Sequence, residues 1–228
     1  MPRQARKKSE SGIYHIMLRG IDRQQIFEDI EDHIRFLDIV KDCREQCGFQ
    51  LYAYCLMGNH VHLLIQVQED NLETIFKKIG GRYVYYYNVK YQRIGHLFQD
   101  RFKSEPVNDD VYFLTVLRYI HQNPVKAKLC AKVEGYPFSS FAEYLNESAI
   151  VDTEFALGMI DRKDFVDFNN APNSDACLEF AEPSRRAVTD TQAQDIVRKI
   201  SHCSSVTEFQ NLEAGKKERY IKKIYDRG

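Results

Sequence analysis

The segment from Phe49 to Val67 constrains the fold most, because it has the pattern of a β-hairpin. Residues 49–57 are rich in β-forming side chains, Gly58 and Asn59 follow as turn formers, and His60 to Val67 resumes an extended pattern. The pattern predicts two strands joined by a tight turn. The fold of this chain therefore includes an antiparallel sheet.

The segments around the hairpin alternate between strand and helix patterns. Residues 13–19 are β-prone and stop at Gly20, which predicts a first strand. An amphipathic helix is predicted over residues 30–47, with Ile30 and Ile34 in its apolar stripe and Gly48 at its end. A second helix is predicted from residue 72 to about residue 91, and residues 96–107 are predicted to be extended.

A third helix is predicted to begin at the capping residues 108–110 and to end before Pro124. The order is then β-α-β-β-α-β followed by an extra helix, which is the split βαβ pattern of ferredoxin-like sheets. We predict an α+β fold: a ferredoxin-like antiparallel sheet with helices on one face, an added helix, and a helical C-terminal extension.

Charge is unevenly distributed along the 228 residues, although the net charge is only −1. Residues 1–136 carry a net +3, residues 137–183 a net −8 and residues 184–228 a net +4. Between residues 75 and 132 the net charge reaches +7. The total argues against a wholly basic nucleic-acid binder, but the distribution leaves a local basic region.

The sequence predicts an intracellular protein without a membrane partner. Its purely apolar stretches are only a few residues long, against the roughly 20 needed to span a bilayer. The basic residues 3–8 are not followed by the apolar run of a secretory signal. Six scattered cysteines are expected to be thiols in a reducing compartment.

Two histidines separated by one residue are the first candidates for chemistry. His60 and His62 lie on the second strand of the hairpin, so both imidazoles point to the same face and can reach one ion. The alternative is a pair of hydrogen-bonded histidines on the sheet surface. His15, on the predicted first strand, is either a neighbour of this pair or only a packing residue.

The third predicted helix carries a second candidate pair. Tyr119 and Asn123 are four residues apart, so a helix presents both on one face. A half-buried tyrosine with an asparagine ending the helix is the structural alternative. The combination with the histidine pair is informative because the chain has no serine-elbow motif, no phosphate-cradling glycine loop and no paired-cysteine zinc site.

Together these motifs resemble the single-tyrosine HUH transposases, the IS200-like family, and within them the REP-associated tyrosine transposases. The resemblance rests on residues 58–62 and, about sixty residues later, on residues 118–127. It is supported by residues 14–15, 18–20, 97–103 and 136–140, with Arg23 and Tyr144. The similar region spans residues 13–144.

The resemblance implies a nuclease and strand transferase that depends on a divalent metal and acts on single-stranded or hairpin DNA. It implies His60 and His62 as metal ligands, Asn123 as the candidate third ligand and Tyr119 as the nucleophile. It further implies Mg²⁺ or Mn²⁺ as the cofactor, a covalent 5′-phosphotyrosyl intermediate and a bacterial, cytoplasmic, nucleoid-associated protein. Residues expected to support the ligands are His15, Asn59 and His121.

A DNA enzyme also needs a binding surface, and the basic region between residues 75 and 132 is the first choice for it. Tyrosines interleave this region and can stack on unpaired bases, although Tyr83 and Tyr87 fit equally well as inward-packing residues. The basic N-terminal arm is a second contact. The candidate DNA-binding residues are Arg6, Lys7, Arg19, Arg82, Arg101, Lys103, Arg118 and Lys126.

The expected organisation has four parts. Residues 1–12 form a basic arm, residues 13–144 the catalytic domain, residues 145–184 an acidic connector, and residues 185–228 a helical extension. The extension is either the start of a helix-turn-helix module, in a truncated chain, or a terminal helix docked on the core. A monomer and a homodimer both remain open.

Two rival functions remain at this point. One is a domesticated protein on the same fold that binds DNA hairpins or regulates, with weak or absent cleavage. The other is an unrelated zinc hydrolase that uses the histidine pair, for which the sequence offers no obvious third strong ligand.

Overall fold

The computed structural model describes residues 6–68, 72–179, 198–201, 203, 208–209 and 212–225. Four strands form one sheet: β1 (Ile13–Arg19), β2 (Gln50–Met57), β3 (His60–Gln66) and β4 (Lys103–Pro106). The order across the sheet is β2-β3-β1-β4, and all three neighbouring pairs are antiparallel. The predicted α+β, ferredoxin-like sheet is confirmed. The fourth strand is shorter than the predicted segment 96–107.

The first helix, α1 (Ile30–Cys47), begins at a capping box. The Asp29 side chain accepts a hydrogen bond from the backbone of Asp32, whose own side chain accepts one from the Asp29 backbone. The helix ends at Gly48, whose φ of 68° favours glycine. The predicted apolar stripe is wrong at its N-terminal end, where Ile30 and Ile34 are exposed.

The physical reason lies on the second helix, α2 (Leu72–Lys90). Its Lys90 ammonium contacts the Asp29 and Asp32 carboxylates, and Tyr91 just beyond it donates to Asp32. This clasp turns Asp32 inward, so the helix is rotated away from its apolar stripe. Tyr83 and Tyr87 pack inward, as one of the two interpretations proposed, whereas Tyr85 is exposed.

The third helix, α3 (Asp110–Lys126), begins at Asp109, whose carboxylate accepts from the Tyr112 backbone. The prediction that it ends before Pro124 is wrong, because the helix contains that proline. Pro124 lies in the last turn, where it removes only the N–H that would donate to the Ile120 carbonyl, and the helix ends two residues later. α3 packs against β2 and β3.

Three short helices complete the first compact unit, residues 1–179: α4 (Phe141–Leu145), α5 (Glu154–Leu157) and α6 (Arg162–Asn170). They bring Ile150, Val151 and Phe165 into the core. The part of the expected acidic connector up to residue 179 thus belongs to the same unit as the sheet. The second unit, residues 180–228, contains α7 (Ala214–Tyr225).

None of the helices in the described part of the chain is both long and apolar enough to cross a bilayer.

Candidate active site

Three histidines meet on one face of the central strands. His15 comes from β1 and His60 and His62 come from β3, and the antiparallel register aligns Arg19 with His60 and Met17 with His62. The ring centroids of His60 and His62 are 5.1 Å apart, and those of His15 and His62 are also 5.1 Å apart. The predicted same-face pair is therefore present, and His15 is its neighbour.

The orientation of His60 is fixed by the hairpin turn. Its Nδ1 lies 2.7 Å from the Asn59 side-chain oxygen, while the Asn59 amide donates to the Arg23 backbone oxygen. Because the Asn59 oxygen can only accept, Nδ1 of His60 carries the proton and Nε2 keeps its lone pair. This is the arrangement in which a histidine binds a metal through Nε2.

His62 is oriented in the same way by His15. Nδ1 of His62 lies 2.9 Å from Nε2 of His15, and Nδ1 of His15 lies 4.0 Å from the Glu105 carboxylate. Nδ1 of His15 has no hydrogen-bond partner among the described residues, and the tautomer in which Nε2 of His15 accepts from His62 is the one that suits a metal at His62. In that tautomer Nε2 of His62 keeps its lone pair.

All three rings are held in the neutral form. Burial lowers the pKa of His15 to about 3 and the pKa of His60 to about 4. Burial, reinforced by the two neighbouring histidines, lowers the pKa of His62 well below its usual value. Neutral imidazoles are the form that ligates metals.

Tyr119 on α3 lies directly against this cluster. Its ring centroid is 5.7 Å from that of His62 and 5.9 Å from that of His15. The hydroxyl donates to the Glu179 carboxylate at 2.6 Å, and the Lys126 ammonium lies 4.5 Å from the ring centroid. Burial, with the hydrogen bond and charge of Glu179, raises the pKa of Tyr119 above its usual value.

Asn123 lies one turn further along α3 and connects the two halves of the site. Its side-chain amide donates to the backbone oxygen of Tyr119 at 3.4 Å. Burial lowers the pKa of His60 and raises the pKa of Tyr119, and Asn123 opposes both shifts. Among the described residues, no group of three or more His, Cys, Asp or Glu side chains could hold a metal. The donor set at this point is therefore two imidazoles and an amide.

This donor set fits a divalent ion. Two imidazoles that share one ion have ring centroids about 5 Å apart, given metal–nitrogen bonds of about 2.1 Å. The separation of 5.1 Å between the rings of His60 and His62 meets that requirement. An amide oxygen and water would complete a coordination shell that suits Mn²⁺ better than Mg²⁺.

His121 is not part of this cluster, contrary to the expectation that it supports the ligands. It is fully buried, and its two ring nitrogens contact the side chains of Asn169 and Ser140. Two residues along a helix correspond to roughly 200° of rotation, so His121 faces away from Tyr119 and into the core. The other two residues, His15 and Asn59, contact His62 and His60 respectively.

A segment that the sequence did not connect with the site covers α3. In residues 172–179, called here the acidic strap, the Asp175 carboxylate pairs with Arg118 at 2.8 Å and its backbone oxygen accepts from Lys126. Glu179 at the end of the strap binds the Tyr119 hydroxyl. In the sequence, the only indication of these two residues is that Asp175 and Glu179 lie four positions apart in an acidic segment.

The other candidate DNA-binding residues lie in several places. Arg82 pairs with Asp42, and both Arg6 and Arg101 pair with Glu73. The remaining residues lie on the sheet or on the arm: Arg19 beside His60, Lys103 on β4, and the exposed Lys7. Only Arg19, Arg118 and Lys126 are therefore placed next to the histidine and tyrosine cluster.

Both the sequence and the fold of this chain are similar to those of known proteins. The family model "Transposase IS200 like" matches residues 8–123, slightly more than half of the chain. A curated protein of Haemophilus influenzae, assigned as a REP-associated tyrosine transposase, is 29% identical over 146 residues that cover 58% of this chain and 81% of that protein.

A solved structure, of a REP-associated tyrosine transposase bound to a REP hairpin, has the same fold. The two chains superpose with a TM-score of 0.58 at 15% identity, covering 82% of this chain and 99% of the other.

Proposed function

The chain belongs to the IS200-like transposase family, and on that premise we propose that it is a metal-dependent endonuclease and strand transferase for single-stranded DNA. Tyr119 is the nucleophile, His60 and His62 hold the metal, and Asn123 is the third protein ligand. The observation that carries the proposal is the packing of the Tyr119 ring against His62, which lies beside His60 on the same face, while a neighbouring side chain holds the Nδ1 atom of each of these two histidines.

The side chains around Tyr119 control its proton. The buried phenol is protonated at neutral pH, and Glu179 disfavours the phenolate further. The phenol therefore has to leave Glu179 before it can act as a nucleophile. The Lys126 ammonium over the ring then favours the negative charge that develops on the oxygen.

The divalent ion, when bound, would polarise a non-bridging phosphate oxygen and orient the scissile phosphodiester. The phenol loses its proton to water, the resulting phenolate oxygen forms a bond to phosphorus, the bond from phosphorus to the 3′ oxygen breaks, and the leaving 3′ oxygen takes up a proton from water. The products are a 5′-phosphotyrosyl enzyme and a free 3′-hydroxyl. Because the phosphodiester energy is kept in the tyrosyl linkage, another 3′-hydroxyl can reverse the step and complete strand transfer.

Hairpin DNA is the proposed substrate class. The solved structure of similar fold is bound to a REP hairpin, and the basic residues Arg118 and Lys126 flank the nucleophile on the same helix. Each phosphate contact of this kind contributes to affinity and makes binding depend on salt.

The test is a covalent adduct on denaturing gels. A labelled hairpin with single-stranded flanks, taken from the flanks of the protein's own gene, is incubated with Mn²⁺ or Mg²⁺. The wild-type protein is expected to form a metal-dependent adduct, and Tyr119→Phe is expected to form none. Equal behaviour of the two proteins would refute the proposal.

A second candidate, a DNA-hairpin-binding or regulatory protein with weak cleavage, is favoured by one observation. The Tyr119 hydroxyl is held protonated by Glu179, and Asp175 of the same strap neutralises Arg118. In that case His60→Ala would keep full DNA affinity, and no divalent ion would produce cleavage.

A further inference from the structure

A groove beside α2 lies outside the catalytic cluster. It has a volume of about 550 Å³ and separates α2 from residues 98–102. Phe76, Phe98 and Phe102 form its apolar wall, and it is also lined by two cations, Lys77 and Arg101, and by two carboxylates, Glu73 and Asp100. The groove therefore combines aromatic rings with cations, which is the composition of sites that bind unpaired nucleotides.

The helix itself opens this groove. Gly80 and Gly81 are consecutive inside α2, where glycine is less stable than alanine. A Cβ atom at Gly81 would meet no atom within 4 Å, and one at Gly80 would meet only the edge of the Phe98 ring at 4.0 Å. Neighbouring protein atoms thus do not demand a glycine at either position, and the two residues leave space beside the aromatic wall.

The charges at the rim suit a phosphate-bearing ligand. Arg6 stacks over the Phe102 ring at 4.0 Å, and both Arg6 and Arg101 pair with Glu73. Glu73 is largely exposed, so these ion pairs are weak and a phosphate can replace the carboxylate. Arg6, Arg101 and Lys77 are then available to bind the DNA phosphates on either side of a bound base.

The groove also connects to the catalytic cluster through the backbone. Phe98 forms a β-bridge with Gly20, and the Gly20 amide donates to the backbone oxygen of Asn59, the residue before His60. Since paired strands are about 4.8 Å apart, the backbone of Phe98 lies about 10 Å from the turn residue that precedes His60. A single strand that reaches the catalytic cluster can therefore also reach the groove.

We propose that this groove binds one unpaired nucleobase of the single-stranded DNA segment next to the cleaved phosphate. The base lies against Phe98 in the space left by Gly80 and Gly81, and its flanking phosphates contact Lys77 and Arg101. The proposal rests on the proposed function, because it requires single-stranded DNA as the substrate.

The experiment uses the full chain and a DNA hairpin with short oligothymidine flanks, in which 2-aminopurine replaces one flank position at a time. Stacking on an aromatic ring quenches the emission of this base. One flank position is expected to be quenched by the wild-type protein and not by Gly81→Leu. Phe98→Ala is expected to lower the affinity roughly 5- to 150-fold.

Controls separate the groove from general effects. Val89→Leu adds apolar surface at an exposed position of the same helix, outside the groove, and is expected to quench like the wild type. The melting temperature of Gly81→Leu is expected to equal or exceed that of the wild type, because leucine is the better helix former. An abasic site at the quenched position is expected to weaken the wild-type complex but not the Gly81→Leu complex.

Two results would overturn the proposal. In the first, 2-aminopurine is quenched at no flank position, as expected for a groove that holds only the N-terminal arm. In the second, Gly81→Leu quenches 2-aminopurine as strongly as the wild type does. The Tyr119 adduct, measured in the same samples, separates this from the proposed function. An adduct without quenching refutes the groove alone, whereas quenching without an adduct refutes the nuclease alone.

Discussion

At the scale of single residues, the hydrogen bond from Tyr119 to Glu179 affects how readily the proposed nucleophile ionises. Glu179→Gln keeps the size of the side chain and removes its charge, so the pKa of Tyr119 should fall towards its usual value near 10. Adduct formation should then become faster, by up to about tenfold for each unit of pKa. The rate measured against pH checks this, because the variant's profile should shift to lower pH.

Glu134→Gln is the matched control for this change, since Glu134 is exposed and accepts from Asn170 instead. Its pH profile should match the wild type. A slower reaction in Glu179→Gln would contradict the expectation and would instead make Glu179 the acceptor of the tyrosine proton.

Asn59 is the residue that orients His60. Asn59→Ala removes the acceptor of the His60 Nδ1 proton and the amide that bonds to the Arg23 backbone. Loss of such a partner usually lowers metal affinity about 10- to 100-fold. Calorimetric titration with Mn²⁺ should show this loss, and Asn88→Ala, which removes an exposed hydrogen bond to Gly95, should not. Unchanged Mn²⁺ affinity in Asn59→Ala would argue against His60 as a ligand.

The sequence predicted some of these residues and could not predict others. Spacing in the sequence is enough to predict that His60 and His62 lie on one face of a strand and that Tyr119 and Asn123 lie on one face of a helix. The periods of strands and helices are local properties. The contacts of His15 with His62 and of Tyr119 with Glu179 join residues 47 and 60 positions apart. Such contacts depend on strand register and on the path of an irregular segment, which no local pattern encodes.

At the scale of elements, the packing of α3 separates catalytic from structural residues. His121 faces α6, where its ring contacts Asn169 and packs against Phe165. His121→Ala leaves a cavity and removes one hydrogen bond each from Asn169 and Ser140, so it should cost about 2–4 kcal/mol of unfolding free energy. Urea denaturation measures this cost. At a temperature where the variant is folded, its adduct yield should equal that of the wild type.

The same residue gives a pH dependence of stability. Burial lowers the pKa of His121 to about 4, so the folded protein prefers the neutral ring. The stability from this residue is complete above pH 6.5 and is lost as the pH falls to about 4. Between these values the unfolding free energy should fall more steeply for the wild type than for His121→Ala. Parallel curves would contradict a buried neutral imidazole at this position.

Element order could be predicted from the sequence, but the rotation of the elements could not. The β-α-β-β-α-β order follows from local periodicity and turn residues, and the sheet has it. The apolar stripe of α1 fails at Ile30 and Ile34 because Asp32 is buried by Lys90 and Tyr91 from another helix. Polar contacts of this kind form between residues that are distant in the sequence, so the pattern of α1 alone cannot predict them.

At the scale of the whole molecule, the net charge of −1 conceals ion pairs between distant segments. The acidic strap lies on α3, where Asp175 binds Arg118, and Arg82 is similarly bound by Asp42 on α1. A count of basic residues in the sequence would assign both Arg118 and Arg82 to a DNA-binding surface. The structure shows that several of them already have partners within the protein, so fewer phosphates should be neutralised than the count of basic residues suggests.

Salt dependence of DNA binding measures how many cations the strap withholds. Asp175→Asn frees Arg118, and each added phosphate contact on single-stranded DNA steepens the plot of log K against log salt by about 0.7. We expect that increase together with tighter binding at low salt, both measured by fluorescence anisotropy. Asp42→Asn changes the net charge equally but frees Arg82 on α2 instead. Equal slopes for both variants would show that total charge, rather than the position of Arg118 beside Tyr119, governs binding.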